Sequence, residues 1–167
     1  MAKSQSKETA NRLEKISSLV TWPGKSGYIA PPKVAPLTGE QEKQFAVGKD
    51  LYAASCAACH QLTGLGMEGL APPLADSEWV LGPPERIALI ILHGLRGKIE
   101  VKGKNYDMEM PSLAVFDDEQ IASLLTYIRR DWEHAASPVD AATVKKVREK
   151  TANRNEAWTE AELLKVR

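Results

Sequence analysis

The chain has 167 residues with 22 Lys+Arg against 22 Asp+Glu and is 43% hydrophobic and 26% charged, proportions that suit about one domain with appendages. With 11 Gly, 2 Cys and zero formal net charge it has no collagen-like repeat, no disulfide-rich scaffold and no basic footprint for nucleic acid. Its longest apolar run, Ile87 to Leu92, is far short of the roughly 20 residues of a membrane-spanning helix and reads instead as a buried helix.

Residues 1–37 read as an N-terminal extension or linker: a polar, helix-compatible piece from Glu8 to Val20, then a Pro/Gly-rich connector carrying Trp22 and Tyr28. The first twenty residues lack an apolar core segment and a cleavage site, so a secretory leader is not expected of them. The first strong helix opens at Thr38, where Gln41 completes a capping box, and runs to about Ala54. Gly48 and Tyr52 share one face of it. The missing side chain at Gly48 admits another helix and Tyr52 supplies the contact.

His60 to Gly82 is turn-rich and without periodicity, so something other than its own backbone must hold it. Pro83-Pro84-Glu85 opens a short apolar helix that Gly94 stops. Residues 95–116 form a second irregular stretch. Asp117, with Gln120 reaching back, caps a helix with Ile121, Leu124, Leu125 and Ile128 at helical spacing and an expected end near His134, so that it includes Tyr127 and Trp132. Residues 135–167 are expected as a helical C-terminal extension of two pieces, one with a thin Val144/Val147 stripe, the other opened by a Thr159/Glu162 capping box. The stripe suits either docking on a partner or packing on the chain's own domain.

Both cysteines fall in Cys56-Ala57-Ala58-Cys59-His60. C-x-x-C-H is the attachment signature of c-type haem. Two thiols about one turn apart can each add to a vinyl group of one porphyrin, and the adjacent imidazole of His60 then faces the iron as proximal ligand. Three plainer readings compete. A redox C-x-x-C normally follows a strand, and none is expected before Cys56. A zinc site needs four ligands, and His93 and His134 are not spaced as a hook. Two buried free thiols would leave His60 as coincidence. A covalent haem also supplies apolar core to a chain with only four Trp, four Tyr and two Phe, and gives its long loops something to wrap.

A second axial ligand is expected from the far loop. Met110 leads, because Pro111 restricts it to an extended backbone that can aim a thioether. Met108 comes next, then Met67, His93 and His134; the plain alternative for the methionines is core filling, and for His93 a helix C-terminal cation. Arg96 and the neighbouring lysines suit either the haem propionates or a solvated loop face.

Gly48, Tyr52, the C-A-A-C-H run, Pro72-Pro73-Leu74, Met110-Pro111 and Tyr127 together resemble the class I cytochrome c family over about residues 40–134. The resemblance implies an all-α fold, three core helices and irregular loops around one covalently attached haem c, with residues 38–134 as the haem domain and helical extensions at both ends. It implies a crossing of the first and last core helices at Gly48 and Tyr127, a Pro72 carbonyl that fixes the His60 tautomer, and Leu74 among the cofactor-binding residues with Cys56, Cys59, His60, Pro72 and Met110. The phrases PPLADSEWVLG, ILHGLRGKIEVKGKNYDMEMP, LLTYIRRDWEH and VREKTANRNEAWTEAEL are similar, more narrowly, to the C-terminal haem domain of large Planctomycetes and Verrucomicrobia dehydrogenase-like proteins.

The function implied is one-electron transfer without catalytic residues of its own, from a fused or partner dehydrogenase module to a downstream cytochrome or oxidase. No nucleic-acid partner and no membrane span are expected, and a monomer is expected for the isolated domain. Haem attachment to this motif takes place outside the bacterial cytoplasmic membrane, so the expected place is the periplasm, with a leader removed or with residues 1–37 as an interdomain linker. The alternative is a haem enzyme or gas sensor with an open distal position, for which no distal histidine-arginine pair stands out.

Overall fold

A computed structural model describes Arg12, Lys25 and residues 35–166; the expectations for Glu8–Val20, Trp22 and Tyr28 lie outside these. The chain divides into two compact units, Met1–Lys33 and Val34–Arg167, and the architecture below is that of the second. It is mostly helical, with one small hairpin.

Helix α1, Gly39–Ser55, starts where the capping box places it: the Thr38 hydroxyl accepts from Gln41 N–H at 3.3 Å and the Gln41 carboxamide accepts from Thr38 N–H at 3.0 Å. Only Gly48 and Tyr52 of α1 are buried. Its partner is α5, Asp118–Arg130, opened by the reciprocal Asp117/Gln120 box. A Cβ at Gly48 would collide with the Ser123 carbonyl and stand 2.9 Å from Tyr127 Cβ, so the two backbones touch here. Phe45 and Tyr52 flank the crossing, with ring centroids 5.1 and 5.2 Å from that of Tyr127.

Helix α5 ends at Arg130, earlier than the sequence reading has it, and Trp132 lies beyond the helix. Trp132 and Glu133 have φ of +50° and +64°, which turns the chain back. That turn puts the Trp132 ring against Tyr52 and Tyr127 and lets its indole donate to the Leu62 carbonyl, contacts a continued helix could not make. It also buries His134. Asp76 N–H donates to His134 Nε2 at 2.8 Å, so the ring proton sits on Nδ1 and goes to the Ile128 carbonyl.

Helix α2, Ala57–His60, continues almost directly from α1, and α3, Glu78–Leu81, is a single turn capped by Ser77. Helix α4, Pro84–His93, buries Ile87 to Leu92 without a break because its neighbours cover every side. Between α4 and α5 lies a hairpin that the sequence reading leaves irregular: β1, Ile99–Val101, pairs antiparallel with β2, Lys104–Tyr106, in the register Ile99↔Tyr106, Glu100↔Asn105, Val101↔Lys104. Its two-residue turn, Lys102-Gly103, has φ of +51° and +73°, the mirror-image turn that matches strand twist. Strands of three residues give too little alternation to register as a pattern.

The C-terminal segment joins the same core. Helix α6, Ala141–Lys150, buries Val144 and Val147, and α7, Glu160–Leu163, buries Leu163 completely. The loop of residues 61–77 has no ladder of its own. Leu74 and Ala75 N–H both donate to the Gly64 carbonyl, Gly66 N–H donates to that of His60, and Asp76 is tied to His134.

Candidate haem site

The Cys56-to-His60 segment sits where α1 gives way to α2, so both cysteines and the histidine belong to about one turn and a half of helix. Cys56 is buried, Cys59 exposed, and the two are not bridged. Burial, and then the neighbouring Cys59, push the Cys56 thiol up to about 11, the reverse of the depressed value that marks a redox-active pair. Among the described residues no three of His, Cys, Asp or Glu meet in a way that could hold a metal ion, so the zinc reading has no support either.

His60 is 8% exposed and its Nδ1 lies 2.9 Å from the Pro72 carbonyl. A carbonyl only accepts, so Nδ1 carries the proton and Nε2 keeps its lone pair. Burial lowers the pKa of the ring against the opposing influence of that carbonyl, which keeps the imidazole neutral. The neighbouring backbone is pinned as well: the Tyr52 hydroxyl donates to the Gln61 carbonyl at 2.6 Å, at a residue with φ of +60°.

Two adjoining clefts meet at His60. The inner one runs past Tyr52, Leu74, Trp79, Val80 and Ile91 to Leu124, and the outer one past Cys59, Leu70, Tyr106, Met108 and Pro111. Cys56, His60, Pro72, Leu95, Ile99 and Met110 line both. The cavities themselves are about 60 Å³ and 220 Å³. Apolar walls, one buried imidazole with a lone pair to give and two unbridged thiols suit a flat, apolar, iron-bearing macrocycle.

Residues 45–132, more than half of the chain, match the family model for cytochrome c. The chain belongs to the cytochrome c family. It is 41% identical over 112 residues to cytochrome c-552 of Thermus thermophilus, an alignment covering 62% of this chain and 85% of that protein. It is 34% identical over 110 residues to the fructose dehydrogenase cytochrome subunit of Gluconobacter japonicus and 30% identical over 105 residues to the gluconate 2-dehydrogenase cytochrome c subunit of Pantoea cypripedii. Those alignments cover 60% and 59% of this chain but only 22% and 24% of the two subunits. Membership of the cytochrome c family makes the cofactor a covalently attached haem c with iron, and the activity electron transfer.

The remaining candidates separate by position. Met110 lines both clefts, Met108, half exposed, only the outer one, and Met67 neither. His93 and His134 are in neither wall; each is engaged elsewhere, His93 with the Thr151 hydroxyl at 2.7 Å and His134 as described. Arg96 pairs with Glu156 at 2.6 Å and is also absent from the walls. No described helix is long and apolar enough to cross a membrane.

Two residues of the site's frame escaped sequence reasoning. Trp79 lines the inner cleft and donates its indole N–H to the Glu100 carbonyl, tying α3 to the hairpin. Arg129, only 4% exposed, donates to the carbonyls of Val80, Gly82 and Ser137. Its sequence signal was faint: two arginines end α5, and nothing in that run marks the first as buried.

Proposed function

We propose that this chain is the single-haem electron-transfer domain of a periplasmic dehydrogenase system, passing one electron at a time from a fused or partner dehydrogenase module to a downstream cytochrome or oxidase. In this reading residues 38–134 form the haem domain, residues 1–37 link it to a preceding module and residues 135–167 extend it. The more specific membership, in the haem domains of Planctomycetes and Verrucomicrobia dehydrogenase-like proteins, is part of the same proposal. It is supported by the long phrases noted above and by the similarity to two dehydrogenase cytochrome subunits.

Cys56 and Cys59 would hold the macrocycle through thioethers, His60 and Met110 would ligate its iron, and Pro72 and Leu74 would complete the immediate surroundings. When bound, the haem would supply the one-electron chemistry. Pro72 keeps the proton on His60 Nδ1 and so fixes which nitrogen donates. Met110, a neutral soft donor, favours the reduced form and raises the potential. The apolar residues of the inner cleft exclude water, and a site closed on both faces leaves no position for substrate. The observation that carries the reading is that His60, kept neutral by burial and donating Nδ1–H to the Pro72 carbonyl, lines both clefts together with Cys56 and Met110, and the outer one with Cys59 as well.

Optical spectra of matured protein and of Met110→Ala test it. The native ferric form is expected to show the weak red sulfur-to-iron charge-transfer band and the variant to lose it. A native protein without that band, whose ferrous form binds carbon monoxide at once, would instead have an open distal face and act as a sensor or enzyme.

A further inference from the structure

The segment that carries Met110 has little backbone bonding of its own. We infer that the C-terminal extension is a strap that positions Met110, with Trp158 and Arg148 as its two positioning residues. The inference rests on the reading of Met110 as distal ligand.

The first grip is a layer of three extended segments. Met110 and Leu95 exchange both backbone hydrogen bonds, Leu95 N–H to Met110 O at 3.0 Å and Met110 N–H to Leu95 O at 2.9 Å. The other edge of Leu95 pairs in parallel with Trp158: Trp158 N–H donates to Gly94 O at 3.0 Å and Arg96 N–H to Trp158 O at 2.8 Å. Leu95 is thus held between the ligand's backbone and the tail. Gly94 makes this approach possible, since a Cβ there would collide with the Met110 carbonyl and its φ is +79°. Trp158 is itself clamped. The Arg154 guanidinium lies 3.5 Å from its ring centroid and bonds both Glu162 oxygens at 3.0 Å.

The second grip lies beyond the ligand. Arg148 on α6 donates to the Phe116 carbonyl at 2.7 Å, to the Ala114 carbonyl at 3.2 Å and to Asp118 at 2.7 Å. One planar guanidinium therefore gathers the chain between Pro111 and the start of α5, and α6 is rooted in the core by Val144 and Val147.

A thioether is a weak neutral ligand, so its hold depends on how firmly the protein keeps it in place; each degree of freedom returned to the loop lowers its effective concentration and favours a competing ligand. The strap restrains the loop at Met110, through Leu95, and again beyond it. This is separable from ordinary stabilisation, because a destabilising change outside the tail and the loop should not affect ligand competition.

Imidazole titration of the ferric full-length holoprotein, followed by loss of the red band, tests the strap. Arg148→Met and Trp158→Pro, which removes the Trp158 N–H, are each expected to bind imidazole about tenfold more tightly, the order of one net hydrogen bond, with Arg148→Lys between them and the native chain. Gly48→Ala, which strains the crossing of α1 and α5 against Ser123 and Tyr127 and not the tail, is expected to lower the global denaturation midpoint and leave imidazole affinity within about twofold. The proposal falls if Arg148→Met does not tighten binding, or if Gly48→Ala tightens it as much. Should Trp158→Pro fail to fold, the Arg148 pair and Gly48→Ala carry the same decision. A native red band that Met110→Ala retains removes the ligand assignment and the strap together, whereas a band lost in Met110→Ala with unchanged imidazole affinity in Arg148→Met removes the strap alone.

Discussion

Gly48 shows how much one absent side chain can decide. The α1 and α5 backbones approach until a single Cβ would occupy the Ser123 carbonyl. Relief would require moving helix against helix, because the obstructing atoms are backbone. Gly48→Ala should therefore destabilise by at least the ~1–3 kcal/mol typical of overpacking, although alanine is the better helix former. Chemical denaturation of the holoprotein would read this directly, and an unchanged midpoint would mean that the crossing is looser than the contact implies. His134 makes the complementary point with polar atoms: its neutral ring joins Asp76 N–H to the Ile128 carbonyl and so fastens the loop that presents Pro72 to His60.

Among the elements, α7 is the one whose attachment depends most plainly on charge. Thr159 N–H, then the Thr159 hydroxyl and Arg154, hold the Glu162 carboxyl at about 2, against an ordinary value of 4.5. Folded Glu162 binds fewer protons than the unfolded chain's, so its contribution is complete above about pH 4.5 and is lost as pH falls through about 2. Acid titration of the native chain should release the α7 region across that window, seen as growing amide exchange in residues 159–163, and Glu162→Gln should flatten the dependence. The caps of α1, α5 and α7 were legible in the sequence, because a capping box is a local pattern with one meaning. The attachment motif was legible for the same reason of fixed spacing, whereas the His60–Pro72 pair came only through the family resemblance. What escaped was set by distant contacts: the early end of α5 follows from Trp132 and His134 finding partners near residues 62 and 76, and Arg129 is buried by carbonyls that no sequence window includes. The hairpin was simply too short to alternate.

For the molecule as a whole, equal numbers of acidic and basic residues give little long-range steering toward a charged partner. The exposed apolar residues near the attachment segment, Leu62, Leu65 and Met108 among them, leave encounter to short-range contact or to a tether. A tether is what the proposed fusion to a donor module would supply.

The pairing of Leu95 with Trp158 also bears on the order in which the chain folds. His60 and Pro72 are neighbours in sequence, so the proximal side needs only short loop closures, whereas the distal side waits for a segment some sixty residues away, whose closure carries a larger entropic cost. Refolding of the haem-bearing chain should therefore recover helical circular dichroism before the red sulfur band, with the gap widened in Trp158→Pro. Coincident recovery of the two would place the tail in the early nucleus. A chain made from its N-terminus would by this account own a formed histidine side while its methionine side still waits for residues beyond 150.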